Sequence, residues 1–187
     1  GDLEGFLAAA VQARLTILLC GATGSGKTTM SKTLIAAIPL TERIITIEDA
    51  LELVIPQPNH VRLLYSKDRL SAAPIDAEAL LQASLRMRPD RVLLQELRDD
   101  AAWTYVNEIV SGHPGSITTI HGRYPDQAFK RLFALVKASA KGASFDDRTL
   151  CDLLASAVDL IIPFETSGTT YQINEVWFCL LYTSDAA

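Results

Sequence analysis

The amino-acid sequence predicts an α/β fold: a mainly parallel, doubly wound sheet flanked by helices. Three observations predict it. Short apolar runs alternate with stretches of helical spacing along most of the chain. A glycine-rich turn separates the first run from the helix that follows it. Polar residues close successive runs, where ligands gather in sheets of this kind. A length of 187 residues suffices for one well-buried domain and is short for two.

The elements follow in order. Leu-Thr-Ile-Leu-Leu at 15–19 is a buried strand, and Lys27 to Ile38 carries helical spacing. Residues 43–47 form a second strand, ending in Glu48 and Asp49, and 61–65 a third. Pro56, Pro58 and Asn59 make the stretch between them a loop or edge hairpin. Asp76 caps a helix with apolar positions Ala77, Leu80, Leu81 and Leu85, stopping near Arg88-Pro89. Residues 92–95 are a buried strand followed by Glu96. Ala102, Tyr105, Val106, Ile109 and Val110 stripe a helix that ends at Gly112. Residues 116–120 are a strand leading to His121, and Phe129, Leu132, Phe133 and Val136 share one helical face. Ser144 and Asp147 have capping-box spacing ahead of a helix through Leu150, Leu153, Leu154 and Val158. Closing strands are expected at 160–164 and 171–177, parted by a turn at Ser167-Gly168.

The chemistry concentrates at 21–28, Gly-Ala-Thr-Gly-Ser-Gly-Lys-Thr, which matches G-x-x-x-x-G-K-[ST]. Glycines at 21, 24 and 26 allow torsions that a Cβ would forbid. Strand, turn and helix start together aim backbone N–H groups and the helix dipole at one point, a cradle for polyphosphate. The cradle comprises Gly21, Ala22, Thr23, Gly24, Ser25, Gly26, Lys27, Thr28 and Thr29. Lys27 supplies a full charge near the β- and γ-phosphates, and the Thr28 hydroxyl is placed to ligate Mg²⁺. A nucleoside triphosphate and Mg²⁺ are thus the expected ligands.

Composition sets outer limits. Apolar residues make up 49% of the chain, and no stretch approaches the roughly 18 uncharged apolar residues of a membrane span. A net charge of −5 argues against a broad basic nucleic-acid coat. Cys20, Cys151 and Cys179 are odd in number and widely spaced, which fits a reducing compartment and no zinc site. The chain opens Gly-Asp-Leu-Glu without Met or a leader, so a fragment of a longer protein is expected.

Four groups fall at strand ends: the phosphate loop, Glu48-Asp49, Glu96 and His121. Phosphoryl transfer asks for charge neutralisation and an oriented water rather than covalent work by the protein. Glu96 either holds the metal through water or acts as the base, and Glu48 is the rival base. Strand period two puts Ile117, Thr119 and His121 on one face, and His121 is the candidate reporter on the γ-phosphate. His113 reads as an ordinary core or surface residue. Arg86, Arg88, Arg91 and Arg98 flank the Glu96 strand. One is expected to neutralise transition-state charge, and the others to serve as helix-end charges or carboxylate partners.

Leu85-Arg86-Met87-Arg88-Pro89-Asp90-Arg91 runs into Leu94-Gln95-Glu96-Leu97-Arg98-Asp99, and Ser111-Gly112-His113-Pro114-Gly115-Ser116 into Thr118-Thr119-Ile120-His121. With the phosphate loop and Ile45-Thr46-Ile47-Glu48-Asp49, this combination resembles the hexameric traffic ATPases of type IV secretion, the VirB-eleven-like family. The resemblance runs from about Phe6 to Trp177. It assigns Walker A to 21–28, the acidic box to Glu48-Asp49, Walker B to the strand ending at Glu96 and the histidine box to 112–121. One departure is Gln95, where many such strands carry Asp.

The resemblance implies a RecA-like C-terminal ATPase domain over 1–178, in a homohexameric ring with ATP between subunits and an N-terminal domain missing here. It implies work at the cytoplasmic face of the bacterial inner membrane, beside other secretion ATPases and inner-membrane channel components, with DNA or protein as transported substrate. Residues 179–187 match nothing in the family and are expected to be a non-native end. Alternatives are a pilus-retraction or type II secretion ATPase, a small-molecule P-loop kinase, and a truncated nucleotide-binding module with little turnover.

Overall fold

The computed structural model describes residues 2–66, 75–98, 101–110, 112–167 and 170–179. Helix α1 (Leu3–Gln12) comes first; Asp2 caps it, its carboxylate accepting the Gly5 N–H at 2.9 Å. Strand β1 (Ile17–Gly21) is wholly buried and delivers the chain to the phosphate loop and α2 (Lys27–Ala36). Strands β2 (Ile44–Glu48), β3 (His60–Leu64) and β4 (Arg91–Leu94) form one parallel ladder in the order β3-β2-β4. Because β2 and β3 are parallel, the proline-bearing stretch between them is a crossover loop rather than a hairpin.

Strands β5 (Ile117–His121) and β6 (Leu160–Pro163) flank β1 in parallel, and β9 (Trp177–Phe178) closes that edge antiparallel to β6. The order of the second ladder is therefore β5-β1-β6-β9. Side chains bridge the seam between β4 and β5. The Tyr105 hydroxyl donates to Ser116 Oγ at 2.6 Å, Ser116 Oγ donates to the Val92 carbonyl, and Thr119 Oγ1 donates to the Gln95 carbonyl at 2.9 Å. The Leu97 N–H donates to the Thr119 carbonyl at 2.8 Å. The hydroxyls of Ser116 and Thr119 are thus spent on stitching two ladders into one sheet, while the buried Thr118 hydroxyl has no hydrogen-bond partner among the described residues.

Alternation of side chains splits the core between the two faces. Ile17, Leu19, Ile44, Ile117 and Ile162 pack with Leu7 and Val11 of α1 and Leu34 and Ile35 of α2. Leu18, Cys20, Ile47, Leu94 and Ile120 pack against the opposite layer. That layer comprises α3 (Ala77–Leu85), α4 (Ala101–Val110), α5 (Pro125–Ala138) and α6 (Asp147–Ala157). Tyr105 belongs to it, as expected, with Trp103, Phe129 and Phe133 packed at its margin.

Two local expectations are corrected. The N-cap of α6 is Asp146, not Ser144. Its carboxylate accepts the Thr149 N–H at 2.9 Å and the Thr149 hydroxyl at 2.7 Å, whereas Ser144 lies in a 3₁₀ turn and donates to the Lys141 carbonyl. The long closing strand at 171–177 is broken into a hairpin, β7 (Glu165–Ser167) with β8 (Thr170–Gln172), and the short β9. The turn expected at Gly168 lies outside the described residues. Cys179 is buried, its N–H donating to the Asp159 carbonyl at 3.0 Å; residues 180–187 lie outside the description. All three cysteines are free, and burial pushes the thiols of Cys20 and Cys179 up to about 12. Among the described residues no helix is long and apolar enough to cross a membrane.

Candidate functional site

The carboxyl ends of β1, β2, β4 and β5 open onto one cleft of about 1040 Å³. The phosphate loop forms its floor. Gly26 caps α2 in the left-handed region, φ 91°, and a Cβ built there would stand 2.6 Å from Cε1 of Tyr171. Thr23, Gly24, Gly26, Lys27, Thr28 and Thr29 line the cleft; Gly21 and Ser25 are buried beside them and Ala22 is exposed. Ser25 is buried, and its Oγ has no hydrogen-bond partner among the described residues. Such a hydroxyl needs a partner, since an unsatisfied buried polar group is costly.

Lys27 is nearly buried, and its ammonium donates to the Gly21 and Ala22 carbonyls at 2.8 and 2.7 Å. Burial lowers its proton affinity below the ordinary lysine value; Glu96 and Cys20 act the other way and Arg98 adds to the lowering. A desolvated cation with only neutral acceptors is a strong anion site. With the orphan Ser25 hydroxyl and the α2 N-terminus, these residues fit a polyphosphate. Among the described residues no group of three or more His, Cys, Asp or Glu side chains is arranged to hold a metal. A cation here would depend on Thr28 together with oxygens of the ligand itself.

Glu96 lines the same cleft, and an imidazole and a guanidinium face it. His121 Nε2 lies 2.7 Å from Glu96 Oε1, and the Arg98 guanidinium bonds Glu96 Oε2. Arg98 also approaches Asp49, 3.9 Å away. Of the four arginines singled out in the sequence, Arg98 lines the cleft. Arg91 lies at the other end of β4, fully buried, its guanidinium paired with Glu42 at 2.6 and 3.0 Å and donating to the Gly115 carbonyl. Arg86 is the C-cap of α3, and Arg88 takes a left-handed backbone, φ 54°.

Glu48 does not line the cleft. It is fully buried, and its carboxylate accepts hydrogen bonds from five groups. These are Thr46 Oγ1 at 2.8 Å, Arg62 Nε and Nη2 at 3.0 and 2.9 Å, and the Glu52 and Leu53 N–H groups at 3.0 and 2.9 Å. With its lone pairs so engaged, it anchors the loop that carries Asp49 and Glu52 into the cleft. Gln95 braces the same loop, its Oε1 accepting the Asp49 N–H at 3.0 Å and its Nε2 donating to Glu52 at 3.0 Å. Sequence reasoning missed these roles. The signal was present only in part: Gln95 takes a position that carries charge in similar strands.

A family model described as Type II/IV secretion system protein matches residues 2–164. The chain belongs to that family. Among family relatives, the VirB11 protein of Agrobacterium fabrum is 68% identical over 177 residues, covering 95% of this chain and 52% of that protein. The type IV secretion system protein VirB11 of Bartonella quintana is 48% identical over the same length, with 95% and 50% covered. The chain spans about half the length of these relatives. The crystal structure of the Brucella suis VirB11 ATPase in complex with sulphate superposes with a TM-score of 0.88 at 40% identity, covering 95% of this chain and 52% of that one. The pilus retraction motor PilT with bound ADP superposes at 0.71 with 22% identity, covering 94% and 50%, a likeness of fold alone. The family fold is the RecA-like P-loop type, and the sheet order above is its expression in this chain.

Proposed function

We propose that residues 1–178 are the C-terminal ATPase domain of a type IV secretion motor, binding and hydrolysing ATP to power assembly of the machine and substrate transfer through it. The single observation that carries this reading is the convergence of Lys27, Glu96, Arg98 and His121 on one cleft. Gly21 to Thr29 cradle the phosphates, and Lys27 carries the compensating charge. Thr28 would hold a bound Mg²⁺ directly, with Glu96 behind it through water. Bound Mg²⁺ neutralises charge on the phosphate oxygens. Glu96 accepts the proton of the attacking water, with His121 and Arg98 orienting its carboxylate. Glu48 acts on that chemistry only through the loop it holds.

The likeness to VirB11 proteins supports a homohexamer at the inner face of the bacterial inner membrane, with other secretion ATPases and channel components as partners and DNA or protein as cargo. A pilus-retraction or type II secretion ATPase is favoured less, since the matching VirB11 sequences are far more similar than PilT. A binding module with little turnover is the second reading, because the chain spans half of its relatives. Sedimentation with and without a non-hydrolysable ATP analogue tests the motor reading. A nucleotide-dependent hexamer is expected, and a monomer under both conditions contradicts a ring formed by this chain.

A further inference from the structure

Tyr171 on β8 lies against the phosphate loop. Its ring stacks on that of Phe164, with centroids 5.6 Å apart and planes 7° from parallel. Phe164 is anchored: it is 8% exposed, and its N–H donates to the Cys20 carbonyl at 2.7 Å. Tyr171 is 55% exposed and lines the cleft. Both ring edges border Gly26, where an added Cβ would stand 2.6 Å from Tyr171 Cε1 and 3.0 Å from Phe164 Cε1. An aromatic ring is therefore held beside the cap of α2, backed on one face and open towards the cleft. Tyr65 also lines the cleft, but it packs against the core and has no comparable open ring.

Backbone N–H groups and a lysine grip phosphate without regard to what the phosphate is attached to. Discrimination for a nucleoside must come from another surface, and a flat, supported, water-facing ring is the kind that a base covers. We propose that Tyr171 is the platform on which the purine base of the bound nucleotide stacks, with Phe164 as its support. This rests on the nucleotide reading above and adds to it the residue that selects a nucleoside triphosphate over bare polyphosphate. The ring's place on the hairpin is set by the ladder, in which Thr166 pairs with Tyr171.

Calorimetric titration of the 187-residue chain with Mg²⁺-ATP and with inorganic tripolyphosphate tests the proposal on Tyr171→Ala and Tyr171→Phe. In Tyr171→Ala the expected result is about tenfold weaker ATP binding with tripolyphosphate binding unchanged. Tyr171→Phe keeps the ring and is expected to stay within about twofold of the unaltered chain. Undiminished ATP affinity in Tyr171→Ala overturns the proposal. Equal losses for ATP and tripolyphosphate also overturn it, since Tyr171 then only shapes the loop. Failure of the unaltered chain to bind either ligand overturns the phosphate-cradle reading, and this proposal with it.

Discussion

Nε2 of His121 and Oε1 of Glu96 stand 2.7 Å apart, linking the carboxyl ends of β5 and β4 across the seam between the two ladders. Arg98 holds the other oxygen of Glu96. A shift of His121 towards a ligand therefore changes the partners of a carboxylate that lines the same cleft as the phosphate loop.

That arrangement predicts the behaviour of Glu96→Gln. The amide keeps the shape of the side chain but cannot take a proton, so nucleotide binding is retained and hydrolysis slows by about a hundredfold or more. Phosphate release measured beside nucleotide titration checks both halves. Unchanged turnover would remove Glu96 from the role of base.

Glu48→Gln is predicted to act on stability first. An amide nitrogen in place of one oxygen would face Arg62 or the Glu52 and Leu53 N–H groups, leaving buried donors opposed. The cost is about 3 kcal/mol, a fall in melting midpoint on the order of 10 °C. A midpoint that does not move while turnover is abolished would instead make Glu48 a direct participant in the reaction.

Hydrogen bonds from fully buried Arg91 hold the Glu42 carboxyl below the usual carboxylate range. As pH falls, the unfolded chain takes up this proton first. The pair's contribution is whole above the ordinary glutamate range and is lost as pH drops through the lowered folded value. Melting midpoints taken from pH 7 to about pH 3 should fall more steeply for the unaltered chain than for Glu42→Gln, which starts lower. Parallel curves would contradict this.

Much of this was legible in the sequence where local chemistry decides structure. The phosphate loop is fixed by glycine torsions and a lysine, and β1, β2, β4, β5 and β6 by buried apolar runs. Helix α1 was readable but unread, since Asp2 precedes Phe6, Leu7, Ala10 and Val11 at helical spacing. The engagement of Glu48 with Arg62 was not readable, because it depends on which neighbour β2 takes across 14 residues of sequence. The same holds for Gln95 with Glu52 and for Tyr171 over Gly26, contacts set by sheet order and a hairpin rather than by spacing. Asp146 outcompeted Ser144 because a cap is chosen by where the preceding 3₁₀ turn ends.

Titration calorimetry of Mg²⁺-ATP into the folded chain, set beside Lys27→Ala, tests the phosphate cradle most directly. Saturable binding is predicted for the unaltered chain, with affinity at least about a hundredfold weaker in the variant and the far-ultraviolet dichroism of both alike. Absence of measurable affinity in well-folded material, or equal affinity in Lys27→Ala, would contradict the account.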